Sequence, residues 1–160
     1  MLVFCVVISC KEIKKTARIE KEAIPLFTYK ELAPLLHKND EKIYVVNFWA
    51  TWCAPCVKEL PVFEKLKSNY QSKSVEVLLV SFDFKEQIET KLRAFLSENN
   101  IKSKVVVLND SDQDTWIPEI SKNWSGAIPA TLIYSKNKRL FFERSFGYES
   151  LEKEVVKFLK

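Results

Sequence analysis

The chain has 160 residues, 47% of them hydrophobic and 29% charged, and a formal net charge of +4. This length and apolar content suit one folded domain with a sizeable core. The basic residues are spread along the chain without a Lys/Arg block next to aromatic residues, so nucleic-acid binding is not expected. Only two glycines occur. Glycine-rich phosphate-binding loops are therefore absent, and no nucleotide or flavin cofactor is expected.

The N-terminal residues 2–8 form an uncharged apolar run, too short to span a bilayer as a helix and about as long as a signal-peptide core. The run ends in Val7-Ile8-Ser9-Cys10, which resembles the signal motif of bacterial lipoproteins, in which the cysteine is lipidated and becomes the new N-terminus. We therefore expect residues 1–9 to be a lipoprotein-type signal peptide and Cys10 to carry a membrane anchor. An N-terminal piece of a core strand is the alternative interpretation.

The segment after Cys10 is rich in charge. Residues 11–23 contain five basic and three acidic side chains and almost no large apolar ones. Such a composition is typical of a solvated linker. We expect residues 10–23 to comprise the lipidated cysteine and a charged tether, and residues 24–160 to form the folded domain.

Apolar periodicity predicts alternating helices and strands along that domain. In chain order these are a helix from about Tyr29 to His37, a strand ending near Trp49, a helix from about Cys53 to Tyr70, a strand over Val75–Phe82, a helix over Lys85–Glu98, a strand over Val105–Leu108, a short helix within 110–123, a hairpin of Thr131–Tyr134 and Leu140–Phe146, and a last helix from about Ser150. Strands that alternate with helices before a closing hairpin predict an α/β fold with a mixed central sheet flanked by helices.

Cys53 and Cys56 lie where an apolar strand runs into a predicted helix. Backbone N–H groups and the helix dipole favour an anion there, so a thiol loses its proton more readily than a free cysteine does. A structural disulfide is the alternative, but a bridge between residues three apart closes a small loop and constrains the unfolded chain little. We predict a redox-active pair in which Cys53 attacks a substrate disulfide and Cys56 resolves the mixed disulfide.

Neither a metal site nor a haem attachment is expected at this pair. The only histidine, His37, is far from it in the sequence, and Val57 rather than a histidine follows Cys56. The other two cysteines, Cys5 and Cys10, lie in the leader. A four-ligand zinc site and a c-type haem motif are therefore disfavoured.

Three separate features resemble the thioredoxin fold. They are the WCAPC run after a buried strand, Ile128-Pro129 about 70 residues later before a hairpin, and a last amphipathic helix. Within that superfamily the chain resembles the membrane-anchored periplasmic thiol-disulfide oxidoreductases of the TlpA/ResA type. The similarity lies in a helix-strand unit over Lys85–Leu108, inserted before the proline loop, in Asn47 and Glu59, and in the lipoprotein-like leader.

The resemblance implies roles for five residues besides the cysteines. Pro129 is expected in the cis form against the cysteine pair, with the Ile128 backbone pairing with an extended substrate, and Trp52 as one wall of the groove. Glu59 is expected to exchange a proton with Cys56; an exposed acid near a helix N-terminus is the alternative. Asn47 either hydrogen-bonds near the active site or fills the core.

The function implied is reduction of disulfides in periplasmic proteins, with apocytochrome c as one substrate class and a membrane thiol as electron donor. No dissociable cofactor and no metal are needed, because the couple is Cys53/Cys56 itself. The Ala-Pro pair between the cysteines resembles reducing members, whereas the oxidant DsbA has a histidine there. A disulfide oxidase or isomerase on the same fold, and a peptide-binding module with permanently oxidised cysteines, are the alternatives.

Overall fold

The computed structural model describes residues 23–159. The predicted signal peptide, the lipidation site Cys10 and tether residues 11–22 lie outside the described residues, so these assignments stay predictions. Within residues 23–159, no helix is both long enough and apolar enough to cross a bilayer.

Six strands and five α-helices make up the described domain. The strands are β1 (Leu26–Phe27), β2 (Ile43–Trp49), β3 (Val75–Ser81), β4 (Lys104–Leu108), β5 (Ala130–Ser135) and β6 (Lys138–Phe142). The helices are α1 (Tyr29–Leu36), α2 (Ala54–Tyr70), α3 (Arg93–Glu98), α4 (Gln113–Ile120) and α5 (Tyr148–Val156).

The strands form one sheet in the order β1-β4-β3-β2-β5-β6. The neighbours β1 and β4, β4 and β3, and β3 and β2 run parallel, whereas β5 pairs antiparallel with β2 and with β6. The prediction of an α/β fold with a mixed sheet is therefore confirmed. Strand β2, which leads into the cysteine helix, lies near the middle of the sheet.

Strand β2 is buried along its whole length because helices cover both faces of the sheet. Alternate side chains point to opposite faces of a strand. Val45 and Trp49 belong to a core cluster with α2 and α5, and Val46 and Phe48 belong to a second cluster with α1 and α4. Asn47 has the parity of Val45 and Trp49, so it faces α2.

Two predicted elements differ in detail. The helix predicted over Lys85–Glu98 consists of a 3-10 turn, a π-helical turn over Ile88–Leu92, and α3. The strand predicted over Leu140–Phe146 is wrong beyond Phe142, where β6 ends. The chain leaves the sheet there because the Phe146 N–H donates to the Glu59 carboxylate rather than to a strand.

Candidate active site

The site lies where β2 ends and α2 begins. The Cys53 N–H donates to the Ala50 carbonyl at 3.2 Å, and the Cys53 carbonyl accepts from the Val57 N–H at 3.0 Å. Cys53 is thus the residue that caps α2. Pro55 follows within the first turn, where its missing N–H costs no helical hydrogen bond. The two cysteines are therefore held at a helix N-terminus, as the sequence predicts.

Cys53 and Cys56 form a disulfide, with their Cα atoms 5.3 Å apart. The Cys56 N–H donates to the Cys53 sulfur at 3.4 Å. Cys53 is 7% exposed, and Cys56 is fully buried. Because a backbone N–H and the positive end of the helix face the Cys53 sulfur, a negative charge is favoured on that atom. The outer sulfur is thus suited to nucleophilic attack, and the inner one is shielded.

The proline loop meets the cysteine pair. The Ile128–Pro129 bond is cis, and the Ile128 carbonyl oxygen lies 3.9 Å from the Cys53 sulfur. Trp52, next to Cys53, is 51% exposed. The fold therefore brings Trp52, Ile128 and Pro129 together with the cysteines, although more than 70 residues separate the two segments in the chain.

A groove of about 380 Å³ extends from this meeting point. Its apolar lining includes Trp52, Phe84, Trp116 and Ile128. Phe84 is 60% exposed and Trp52 is 51% exposed, so two large aromatic side chains of this lining are open to solvent. A larger cavity of about 610 Å³, lined by Lys67 among others, contains none of the predicted site residues.

Glu59 is 3% exposed, so the alternative of an exposed acid does not hold. Its carboxylate accepts from Asn47 Nδ2 at 2.9 Å and from the Phe146 N–H at 2.7 Å. Burial raises the pKa of Glu59, and the hydrogen bonds from Phe146 and Asn47 oppose that rise. The structure therefore places a buried carboxyl with a raised pKa three residues after Cys56 on the same helix.

Asn47 joins β2 to this carboxylate. Besides Glu59, its Nδ2 group lies 3.3 Å from both the Ala130 carbonyl and Thr131 Oγ1, while its Oδ1 atom has no hydrogen-bond partner within the described part of the chain. Of the two interpretations of Asn47, a hydrogen-bonding role near the site is the one that the contacts support.

Asp83 is a second buried carboxylate, 2% exposed, that was not predicted from the sequence. It accepts hydrogen bonds from the Thr51 N–H at 3.0 Å, from Thr51 Oγ1, and from Ser81 Oγ at 2.8 Å. The signal in the sequence was an acid directly after a strand predicted to be buried. In the structure that strand, β3, pairs with β2, which leads into the cysteine helix. The predicted strand ended at Phe82, one residue short of it.

Within residues 23–159, no group of three or more His, Cys, Asp or Glu side chains is arranged to hold a metal ion. The sulfurs of Cys53 and Cys56 are joined as a disulfide, which is the redox-active group of the site.

Most of the chain matches a known protein family. The profile of the AhpC/TSA family matches residues 22–141. The chain is 34% identical over 91 residues to the thioredoxin-like protein YneN of Bacillus subtilis, covering 55% of this chain and 53% of YneN. It is 33% identical over 94 residues to the thiol-disulfide oxidoreductase ResA of Oceanobacillus iheyensis, covering 54% and 48%. The chain thus spans about half the length of the curated relatives it matches.

Among solved structures, the fold is similar to that of a secreted thiol-disulfide isomerase from Corynebacterium glutamicum. The TM-score is 0.63 at 18% identity, over 74% of this chain and 71% of the other. The predicted thioredoxin-like fold is therefore confirmed. The family profile covers more than half of the chain, and the chain belongs to the AhpC/TSA family.

Proposed function

We propose that this protein is a thiol-disulfide oxidoreductase that reduces disulfides of extracytoplasmic proteins through Cys53 and Cys56. One observation carries the proposal. The Cys53 sulfur faces the N-terminus of α2 on one side and the Ile128 carbonyl on the other, with the exposed Trp52 beside it. The names of the relatives, thiol-disulfide oxidoreductase and thioredoxin-like protein, support the same activity.

The reaction is a two-step exchange between sulfurs. In the reduced protein, the Cys53 thiolate attacks a substrate disulfide, a Cys53-substrate bond forms, and the first substrate sulfur leaves as a thiolate that takes up a proton. The Cys56 thiolate then attacks the Cys53 sulfur. The intramolecular disulfide forms, and the second substrate thiol is released. Two electrons pass to the substrate, and an external dithiol must restore the protein.

Glu59 is proposed to accept the proton of Cys56 before the second step. Cys56 is fully buried, so bulk water does not reach its sulfur. Glu59 lies one helical turn further on and is buried as well. Since burial raises the pKa of Glu59, its carboxylate is a better base than an ordinary glutamate near neutral pH.

Recognition of the substrate is assigned to the groove. An extended segment that pairs with the backbone of Ile128 would place its disulfide next to Cys53. Trp52 and Phe84 offer exposed aromatic faces to apolar side chains of that segment. Pro129 keeps the loop free of a backbone donor at the next position.

The cellular setting is part of the proposal. We propose that Cys10 is lipidated, that the domain faces the periplasm, that a membrane thiol supplies the electrons, and that apocytochrome c belongs to its substrates. A relative in fold is described as secreted, which agrees with an extracytoplasmic location. Metabolic labelling with a fatty-acid analogue tests the anchor. Label is expected on the wild type and not on Cys10→Ala, and an unlabelled wild type would contradict it.

The activity is tested with insulin and with a trap. The full chain should speed the reduction of insulin disulfides by dithiothreitol, since it cycles between its two states. The Cys56→Ser variant lacks the resolving thiol, so mixed disulfides with extracytoplasmic proteins should accumulate on Cys53. Non-reducing gels and mass spectrometry would identify them.

The matched control is Cys53→Ser, which keeps one thiol but should trap nothing because Cys56 is buried. A wild type without insulin activity, together with a Cys56→Ser variant that traps no protein, would instead favour a peptide-binding module with permanently oxidised cysteines. Efficient oxidation of reduced substrates with poor reduction would favour an oxidase or isomerase.

A further inference from the structure

Asp83 is the buried charge that the proposed exchange does not use. Its side chain is 2% exposed at the end of β3, directly beside the end of β2. An ionised carboxylate in such a position is costly unless its oxygens accept hydrogen bonds. Asp83 accepts them from the Thr51 N–H, the Thr51 hydroxyl and the Ser81 hydroxyl. Thr51 follows the end of β2, and Ser81 is the last residue of β3. All three donors therefore lie where these two strands end, next to the cysteine turn.

Both oxygens of the carboxylate are engaged with Thr51. Oδ2 lies 3.0 Å and Oδ1 3.3 Å from the Thr51 nitrogen, and Thr51 Oγ1 donates to Oδ1. The position of the carboxylate is itself fixed, because the Asp83 N–H donates to Ser81 Oγ at 2.9 Å and that hydroxyl donates to Oδ2 at 2.8 Å. The end of β3 therefore holds Thr51, two positions before Cys53, by hydrogen bonds to a carboxylate whose own position is fixed.

We propose that Asp83 is a positioning residue of the dithiol and holds the Thr51–Cys53 segment so that the Cys53 sulfur stays within bonding reach of Cys56. The proposal rests on the proposed function and deepens it. Two thiols that are held together close their disulfide at a high effective concentration. The hydrogen bonds between Thr51 and Asp83 therefore favour the disulfide over the dithiol, and this makes the dithiol a stronger reductant.

The experiment measures the exchange constant of the full chain with dithiothreitol, in which protein dithiol and oxidised dithiothreitol give protein disulfide and reduced dithiothreitol. Asp83→Asn replaces one acceptor oxygen by a donor group that faces the Thr51 donors. The constant is expected to shift about tenfold toward the protein dithiol, which corresponds to about 30 mV for a two-electron couple.

Two variants of Thr51 separate positioning from charge. Thr51→Val removes the hydroxyl donor but leaves the Asp83 charge and the Thr51 N–H, and a shift of about threefold in the same direction is expected. Thr51→Ser restores the hydroxyl and should lie close to the wild type. The matched charge control is Glu86→Gln, an exposed acid three residues after Asp83, which should leave the constant unchanged.

Exchange constants of Asp83→Asn and Thr51→Val within twofold of the wild type would overturn the proposal, even if both variants melt at lower temperature, because Asp83 would then be only structural. An equal shift in Glu86→Gln would also overturn it, since charge alone would explain the effect. If Asp83→Asn does not fold, Thr51→Val and Thr51→Ser decide. The constant requires no protein substrate, so a failure to reduce insulin would refute the proposed function without touching this result.

Discussion

Glu59 is a carboxyl group inside the core with two N–H donors directed at its two oxygens. Desolvation disfavours its ionised form, and the two donors favour it. The balance leaves the pKa of Glu59 raised. A raised pKa in the folded state means that this residue contributes stability below its unfolded pKa, and that the contribution is lost as the pH rises through the folded pKa.

The variant Glu59→Gln tests the role of this residue in proton transfer. Glutamine cannot accept a proton between pH 4 and about 8, so the resolving step at Cys56 should slow by about 10 to 100 fold. In the wild type, this step should become faster as the pH rises through the raised pKa of Glu59, because the carboxylate is the active form. The Glu59→Gln variant should lack this rise of the resolution rate with pH. Stopped-flow measurement of mixed-disulfide resolution between pH 4 and about 8 checks it.

Glu98→Gln is the matched control, since Glu98 is an exposed acid at the end of α3. Its rates should equal those of the wild type at each pH. If Glu59→Gln kept the profile of the wild type, Glu59 would be a structural group and another base would have to serve Cys56.

The chemistry-bearing residues differ in how far local sequence reveals them. Cys53 and Cys56 could be identified because strand, turn and helix signals are local and adjacent. The burial of Glu59 was expected only through the family resemblance, because its spacing from Cys56 is equally compatible with an exposed helix face. Asp83 was missed because its partner Thr51 is 32 positions away and becomes a neighbour only through the pairing of β2 with β3.

The loop between α4 and β5 is the element that presents Ile128 to the cysteines. Trp124 Nε1 donates to the Ala127 carbonyl at 2.8 Å, and the Ser125 N–H donates to the Glu143 carboxylate at 2.9 Å. Gly126 lies between these two anchors with a φ of +92°, and a Cβ there would meet Ile117 Cδ1 at 3.0 Å. The course of the loop therefore depends on a residue without a side chain.

Gly126→Ala is expected to destabilise the fold by roughly 1 to 3 kcal/mol, since the alanine would adopt a strained backbone conformation and crowd Ile117. Thermal or denaturant unfolding measures the loss. Gly147→Ala is the control, because that glycine has an extended backbone and its nearest neighbour would be 3.9 Å away. The control should cost under about 1 kcal/mol at this helix cap. Equal losses in the two variants would contradict the account of Gly126.

Among the elements, long periodic segments were predicted well and irregular ones were not. Helix α2 and strands β2 and β3 occur close to their predicted bounds, since their apolar patterns are strong. The end of β6 was misplaced because Phe142 and Phe146 are equally apolar, and only the hydrogen bond from Phe146 to Glu59 shows that the chain has turned away from the sheet.

On the scale of the whole molecule, the site is assembled at one end of the sheet. The carboxyl ends of β2 and β3 supply the cysteine turn and Asp83, and the start of β5 follows the proline loop. The thioredoxin-like fold was accessible from the sequence because the three features of the resemblance occur in order along the chain. The leader and tether remain predictions, since residues 1–22 lie outside the described part.

A redox titration of the full chain measures whether Cys53 and Cys56 form a reducing couple. The protein would be equilibrated with buffers of dithiothreitol at fixed ratios of reduced to oxidised form, and the dithiol fraction counted by mass-tagged alkylation. A single two-electron transition near the potential of thioredoxin, about −270 mV, is predicted. A transition near that of DsbA, about −120 mV, or a pair that stays oxidised in every buffer, would show that the two cysteines are not a reducing couple.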